Sequence, residues 1–175
     1  MIRAFALLLA LAPLAACGTA PAGNDAAAAK QPAAAAPAPA PHGYVDDAAK
    51  LLAPADIAAL TAKLEAFERG THHQFVIATV PSIGGHDIAA FADALGNRWG
   101  VGRKGVNDGV LLVVAPNERQ VRIAVGDGLH AALTDAEANR IIQTVMLPEF
   151  RARRMAPGIV RGADAILAQI TETTP

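Results

Sequence analysis

Hydrophobic positions along the chain follow two different periods, and the change of period marks the predicted elements. A helical pattern begins after Pro54, a residue favoured in the first turn of a helix, and Gly70 is expected to end it. Its apolar positions are Ile57, Leu60, Leu64 and Phe67. A second helical pattern covers residues 87–99, and the β-branched segment 74–80 between the two helices predicts a strand.

Two further strands are predicted to form a hairpin. Residues 109–115 are apolar on both faces, which is typical of a central strand, whereas residues 120–126 alternate between apolar and polar positions. A turn centred on Asn117 and Glu118 fixes the pairing of the two strands. The expected pairs are Ala115 with Gln120, Leu112 with Ile123, Val110 with Val125 and Asp108 with Asp127.

Two helices complete the pattern. Thr134 and Glu137 have the spacing of a capping box, and Pro148 is expected to end the helix that this box opens. A last helix carries apolar residues at Ile159, Ala163, Ile166, Leu167 and Ile170. The order helix, strand, helix, strand, strand, helix, helix predicts an α/β fold, a three-layer α/β/α sandwich with a small mixed β-sheet.

The N-terminal segment predicts export and lipidation. A cationic start and a short apolar run form a signal peptide over residues 1–16, and the sequence around Cys17 reads as a bacterial lipobox. Residues 17–42 are rich in alanine and proline and are expected to act as a tether. The chain is therefore expected on the periplasmic face of the cell envelope, and Thr19, where an aspartate would favour inner-membrane retention, favours the outer membrane.

Composition excludes several classes of protein. The chain has 15 Lys and Arg against 16 Asp and Glu, so it lacks the basic excess of a nucleic-acid-binding protein. Its single Cys excludes an internal disulfide framework and any cysteine-based zinc cluster. Residues 100–105 spell G-x-G-x-x-G, but they follow a helix and precede a strand, which is the reverse of the dinucleotide-binding order.

The candidate chemistry lies at the open end of the predicted hairpin. Asp108 and Asp127 would be opposed there, and like charges at about 5 Å need a cation, a shared proton or solvent between them. Their oxygens suit Ca²⁺ or Mg²⁺, although both residues also suit turns beside glycine. A parallel crossover would bring residues 71–74 to the same end, and His130 and Asp135 follow closely.

Simpler roles are open for several of these residues. Asp135 suits the positive first turn of the helix that Thr134 caps. His72 and His73 are adjacent, so within a strand they would point to opposite faces, and we interpret them as surface residues. Three roles are open for His130: it is a metal ligand, it is a proton carrier, or it has neither function.

Several short motifs follow one another along residues 44–136. They include Tyr44-Val45-Asp46-Asp47, Trp99-Gly100-x-Gly102, Lys104-Gly105-x-Asn107-Asp108-Gly109, Val125-Gly126-x-Gly128-Leu129 and Leu133-Thr134-Asp135-Ala136. Together these motifs resemble the TPM domain. The resemblance places the domain at residues 43–172 and implies an α/β/α sandwich. It also implies an extracytoplasmic, membrane-tethered domain with an acidic, divalent-cation-binding site and, in some members such as a thylakoid acid phosphatase, weak phosphatase activity.

The resemblance also assigns residues. Asp47, Asp108 and Asp135 match acidic positions of the family pattern, so with Asp127 they form the predicted metal-ligand set. His130 stands where the family commonly has a glutamate, and Asp127 is an added carboxylate.

Two functions are therefore expected as alternatives. The first is an accessory or quality-control module with a divalent-cation site (Ca²⁺ or Mg²⁺) that serves a membrane-protein client. The second is a low-turnover, metal-dependent acid phosphatase. The expected partners are the membrane, through the lipid anchor, and such a client, with no nucleic acid.

Overall fold

A computed structural model describes residues 43–173. The predicted signal peptide, Cys17 and the Ala/Pro-rich tether lie outside the described residues. Between residues 43 and 173, every helix is too short or too polar to cross a membrane.

The centre of the domain is a four-stranded mixed sheet with the strand order β1-β2-β3-β4. Its strands are β1 (Val45–Asp47), β2 (Gln74–Thr79), β3 (Gly109–Ala115) and β4 (Gln120–Val125). β1, β2 and β3 run parallel, and β4 is antiparallel to β3. The register of the hairpin between β3 and β4 is the predicted one, with Ala115 paired to Gln120 and Val110 to Val125.

Within residues 43–173, five α-helices accompany the sheet. They are α1 (Pro54–Thr71), α2 (Ile88–Trp99), α3 (Asp135–Ile141), α4 (Leu147–Arg151) and α5 (Met155–Thr173). A 3₁₀ turn at Asp127–Leu129 follows β4, and a π-helical segment at Ile142–Met146 joins α3 to α4.

Two hydrophobic clusters confirm the three-layer arrangement. On one face of the sheet, Phe75, Ile77 and Leu112 pack with apolar residues of α1, α3 and α5. On the other face, Leu111 and Val113 pack with residues of α2. Because successive strand residues point to opposite faces, a strand such as β3 must be apolar throughout, and all of its residues are buried.

Three local features differ from the sequence expectation. β1 was not predicted, because three residues are too few to show an alternating pattern. α1 extends one residue beyond Gly70, to Thr71, and His72 then takes the left-handed conformation with φ 62°. Pro148 does not end the helical run that begins with α3, because the π-helical segment leads directly into α4 and Pro148 is the second residue of α4.

Candidate functional site

The candidate site is built where the loop 100–108 meets the turn after β4. Glycines allow the two backbones to touch: a Cβ at Gly126 would lie 2.1 Å from the carbonyl oxygen of Asn107. Gly126 N donates to Gly109 O at 2.8 Å, and Gly128 N donates to Asn107 O at 3.0 Å. The hairpin pairing thus continues past the ends of the strands, and the backbones of residues 108 and 127 remain opposite each other.

Asp108 is a completely buried carboxylate that already has a cation. The Arg103 side chain contacts its Oδ2 through Nε at 2.7 Å and through a terminal nitrogen at 2.6 Å. The backbone N of Arg103 donates to Oδ1 at 2.8 Å, and His73 Nδ1 lies 3.0 Å from Oδ2. Of the three ways that the sequence left open to accommodate this carboxylate (a cation, a shared proton or solvent), the structure shows a cation, the Arg103 side chain.

The electrostatics of Asp108 follow from these contacts. Burial raises the pKa of the carboxyl, but the hydrogen bonds from Arg103 and His73 outweigh burial and hold the pKa well below its usual range. Asp108 is consequently ionised at neutral pH. Because its oxygens are buried and hydrogen-bonded to these partners, Asp108 is a structural anchor for the loop 100–108.

His73 differs from the sequence expectation of a surface histidine. Its side chain is only 14% exposed and contacts Asp108, and its ring packs near Phe67 with a centroid distance of 6.5 Å. β2 begins at Gln74, so the rule of alternating faces does not apply to His72 and His73. The left-handed turn at His72 instead directs the chain so that His73 reaches the buried carboxylate.

Asp47 lies at the opposite end of the sheet from the hairpin mouth. It pairs in register with Thr79, the last residue of β2, whereas the hairpin mouth lies beside Gln74, the first residue of β2. Its carboxylate accepts hydrogen bonds from the backbone N–H groups of Leu51 and Leu52 at 2.9 Å and from the Thr79 hydroxyl. Asp47 therefore shapes the loop after β1 and cannot share an ion with the other three predicted ligands.

The other two predicted ligands line a common cavity. This cavity, of about 380 Å³, lies between α2, β4 and the start of α3, and we call it the β4 cavity. Its charged and polar side chains are Asp93, Asn97, Asn107, Arg122, Asp127, His130 and Asp135, and Asp108 does not line it. The structure thus brings Asp127 and Asp135 together with the histidine but leaves Asp108 outside.

Hydrogen bonds inside the β4 cavity are few and long. Asn107 Nδ2 lies 3.4 Å from Asp127 Oδ2, and a terminal nitrogen of Arg122 lies 3.5 Å from Asp135 Oδ1. The Arg122 Nε is buried without a hydrogen-bond partner among residues 43–173. Asp127 and Asp135 are both exposed, so their carboxylates can still accept a ligand.

The His130 ring has one nitrogen engaged. Nε2 lies 3.1 Å from the carbonyl oxygen of Val125. A carbonyl oxygen can only accept, so Nε2 carries the hydrogen, and a neutral ring keeps the Nδ1 lone pair for another partner. Within residues 43–173, no three His, Cys, Asp or Glu side chains converge closely enough to form a complete metal-binding group.

Two residues of the β4 cavity were missed from the sequence. Asp93 and Asn97 lie four residues apart on α2, so they occupy the same face of the helix. Ala92 and Gly96 precede them and also line the cavity. That recurring pair of a small residue and a polar residue is the signal that could have placed this helix face beside β4.

Comparisons with known proteins agree with the fold. A family model described as TPM domain matches residues 45–169. The N-terminal domain of a protein from P. gingivalis, solved by NMR, superposes with a TM-score of 0.68 at 34% identity, over 73% of this chain and 81% of that one. A search of curated proteins finds no match.

Two more distant structures share the fold. The BA42 protein of the psychrophilic bacterium Bizionia argentinensis has a TM-score of 0.60 at 15% identity, over 71% of this chain and 84% of that one. The N-terminal domain of cg2496 from Corynebacterium glutamicum has a TM-score of 0.57 at 16% identity, over 81% and 89%. The family match covers most of the chain and includes every strand, and we conclude that this protein belongs to the TPM domain family.

Proposed function

We propose that this protein is a membrane-tethered periplasmic accessory module whose β4 cavity binds a divalent cation. One observation carries the proposal: Asp93, Asp127 and Asp135 line a single cavity together with His130. The three carboxylates lie on three different elements and outnumber the single guanidinium of Arg122 in the cavity, so a net negative charge remains that a divalent ion would neutralise.

The chemistry of the β4 cavity fits a hard cation. Carboxylate oxygens and the amide oxygens of Asn97 and Asn107 are the ligands that Ca²⁺ and Mg²⁺ prefer, and water completes the coordination of both ions in open sites. Asp108 and Asp47 are left out of this ligand set, because hydrogen bonds and ion pairs already satisfy their oxygens.

The accessory role is favoured by the lining of the cavity. None of the lining residues among residues 43–173 carries a hydroxyl or thiol group, so the cavity offers no such nucleophile for covalent catalysis. A cation held at this surface instead offers a charged contact for a membrane-protein client. The lipobox at Cys17 would keep the domain at the periplasmic face of the envelope, with the outer membrane preferred.

Calorimetric titration of the purified protein with Ca²⁺ and with Mg²⁺ tests the cation site. We expect saturable binding that Asp127→Asn and Asp135→Asn each weaken about tenfold or more, since each removes a charged ligand. Asp164→Asn is the matched control, because Asp164 is an exposed aspartate on α5 that pairs with Lys63. Binding that is absent, or equally weakened by Asp164→Asn, would contradict the proposal.

Metabolic labelling tests the anchor. Radiolabelled palmitate should enter the wild-type protein and not the Cys17→Ser variant, because the predicted lipid is attached through that thiol. Labelling that persists in the variant would refute lipidation at Cys17.

A second candidate function, a metal-dependent phosphomonoesterase, is favoured by Arg122. Its guanidinium lines the β4 cavity beside the carboxylates, and its one ion pair among residues 43–173, with Asp135, is long at 3.5 Å, so the guanidinium could bind a phosphoryl oxygen. A bound divalent cation would supply Lewis-acid polarisation of the same group. The hydrolysis of p-nitrophenyl phosphate, with and without Ca²⁺, Mg²⁺ or Mn²⁺, distinguishes the two functions: turnover that Arg122→Gln abolishes indicates the enzyme.

A further inference from the structure

A second cavity lies on the other side of the segment that bounds the β4 cavity. It has a volume of about 310 Å³, and Val101 lines both cavities. Its distinctive side chains are Tyr44, Glu68, Gln74 and Trp99, and we call it the Trp99 cavity. It combines two aromatic rings with one carboxylate, which is a different chemistry from that of the β4 cavity.

Neutral groups hold the Glu68 carboxylate in the Trp99 cavity. The Tyr44 hydroxyl donates to Oε2 at 2.6 Å, and Gln74 Nε2 donates to Oε1 at 3.1 Å. Gln74 is fixed in turn, because its Oε1 accepts from the backbone N of Gly102 at 2.8 Å. Within residues 43–173, Glu68 forms no salt bridge, so the cavity keeps a positioned and half-buried negative charge.

The Tyr44 hydroxyl remains a donor under all ordinary conditions. Its hydrogen bond to Glu68, together with burial and the negative charge of that carboxylate, raises the pKa of Tyr44 to about 12. This hydrogen bond therefore keeps the Glu68 carboxylate oriented, and each of its oxygens retains a second lone pair for a ligand.

We propose that the Trp99 cavity binds the ammonium group of a small organic cation. Aromatic faces attract ammonium groups through their quadrupoles, with tryptophan the strongest, and a half-buried carboxylate adds charge complementarity. Trp99 and Tyr44 supply the rings, and Glu68 supplies the charge. Ligand pockets commonly start at about 300 Å³, so this cavity suits a compact head group rather than a large ligand.

Fluorescence provides a direct assay, because Trp99 is the only tryptophan in the chain. The purified protein is titrated at constant ionic strength with choline, with n-butylamine and with 3,3-dimethylbutanol, which has the shape of choline without its charge. We expect saturable changes with choline or n-butylamine and none with the alcohol. The cation that binds with the higher affinity shows whether the cavity prefers quaternary or primary ammonium groups.

Two variants assign the binding to the carboxylate. Glu68→Gln keeps the size of the side chain but removes its charge and replaces one acceptor oxygen by an amide donor, and we expect it to weaken cation binding about tenfold. Glu65→Gln is the control, because Glu65 lies on the same helix, pairs with Arg69 and does not line the cavity. The cation affinity of Glu65→Gln should equal that of the wild type.

Three results would overturn the proposal. They are the absence of saturation with both cations, equal saturation with the neutral alcohol, and unchanged cation affinity in a folded Glu68→Gln variant. The comparison of choline with the alcohol uses only wild-type protein, so it decides the question even if the variant does not fold. No divalent metal is added in these titrations, so the result is independent of the cation site proposed for the β4 cavity.

Discussion

Replacement of Asp108 by asparagine should show that this carboxylate holds the domain together. The side chain is fully buried and contacts the guanidinium of Arg103, its backbone N and the ring of His73. Asparagine can keep the contact with the backbone N, but its amide N–H₂ would then face the guanidinium, donor against donor. Removing one partner of a buried pair costs about 3–5 kcal/mol, and the half-exposed Arg103 can regain water, so we expect a loss of about 2–4 kcal/mol.

Thermal and denaturant unfolding measure this loss. For a domain of this size, a loss of 3 kcal/mol lowers the melting temperature by roughly 10 °C. Asp164→Asn, at an exposed aspartate, should change the free energy of unfolding by no more than about 0.5 kcal/mol. If Asp108→Asn were as stable as this control, Asp108 would not be the anchor that its contacts indicate.

The pH dependence gives a second check on the same residue. The pKa of Asp108 is lowered in the folded state, so as the pH falls the unfolded chain takes up the proton first. The contribution of Asp108 is therefore complete above about pH 5 and declines once the pH falls below the ordinary carboxyl value. The difference in free energy of unfolding between wild type and Asp108→Asn should shrink by about 1.4 kcal/mol per pH unit in that acidic range. If this difference stayed constant down to pH 3, the assignment of a lowered pKa to Asp108 would be wrong.

Two further substitutions test the backbone around the site. Asp47→Ala removes the acceptor of two backbone N–H groups after β1, so we expect the free energy of unfolding to fall by about 1–3 kcal/mol in a urea titration. If the variant unfolded at the same urea concentration as the wild type, Asp47 would not have this structural role. Gly126→Ala places a Cβ 2.1 Å from a backbone oxygen and should lower the melting temperature sharply. Gly70→Ala is the contrasting change, because Gly70 lies in α1 with no neighbouring atom within 4 Å of the added Cβ. We expect it to raise the free energy of unfolding by about 0.5–1 kcal/mol. Equal effects of the two glycine changes in differential scanning fluorimetry would contradict the packing argument.

The hairpin of β3 and β4 could be predicted from the sequence because its physics is local. β3 is apolar throughout, β4 alternates, and the four-residue turn between them fixes the register, so the pairing of Leu112 with Ile123 followed directly. Two predicted helix ends, at Gly70 and Pro148, differ from those in the structure. His72 in the left-handed conformation and Pro148 inside a first turn depend on packing that no short sequence window contains.

The candidate site was only partly predictable, because its partners come from different elements. The hairpin register indicated correctly that residues 108 and 127 lie opposite each other, but the side chains have different partners. Arg103 reaches Asp108 from a glycine-rich loop that has no periodic pattern, and Asp93 enters the β4 cavity from α2. Neither contact follows from spacing along the chain, since each depends on how an element packs against the sheet.

The loop 100–108 links the two cavities through consecutive backbone groups. Gly102 N donates to Gln74, which holds Glu68 in the Trp99 cavity, and Arg103 N donates to Asp108 beside the hairpin mouth. A side-chain acceptor on each side thus fixes the segment that separates the cavities, and Val101 lines both of them. A substitution that loosens either acceptor should therefore change both sites at once. By positioning this loop, the buried charge of Asp108 would affect both proposed ligand sites, although Asp108 itself lines neither cavity.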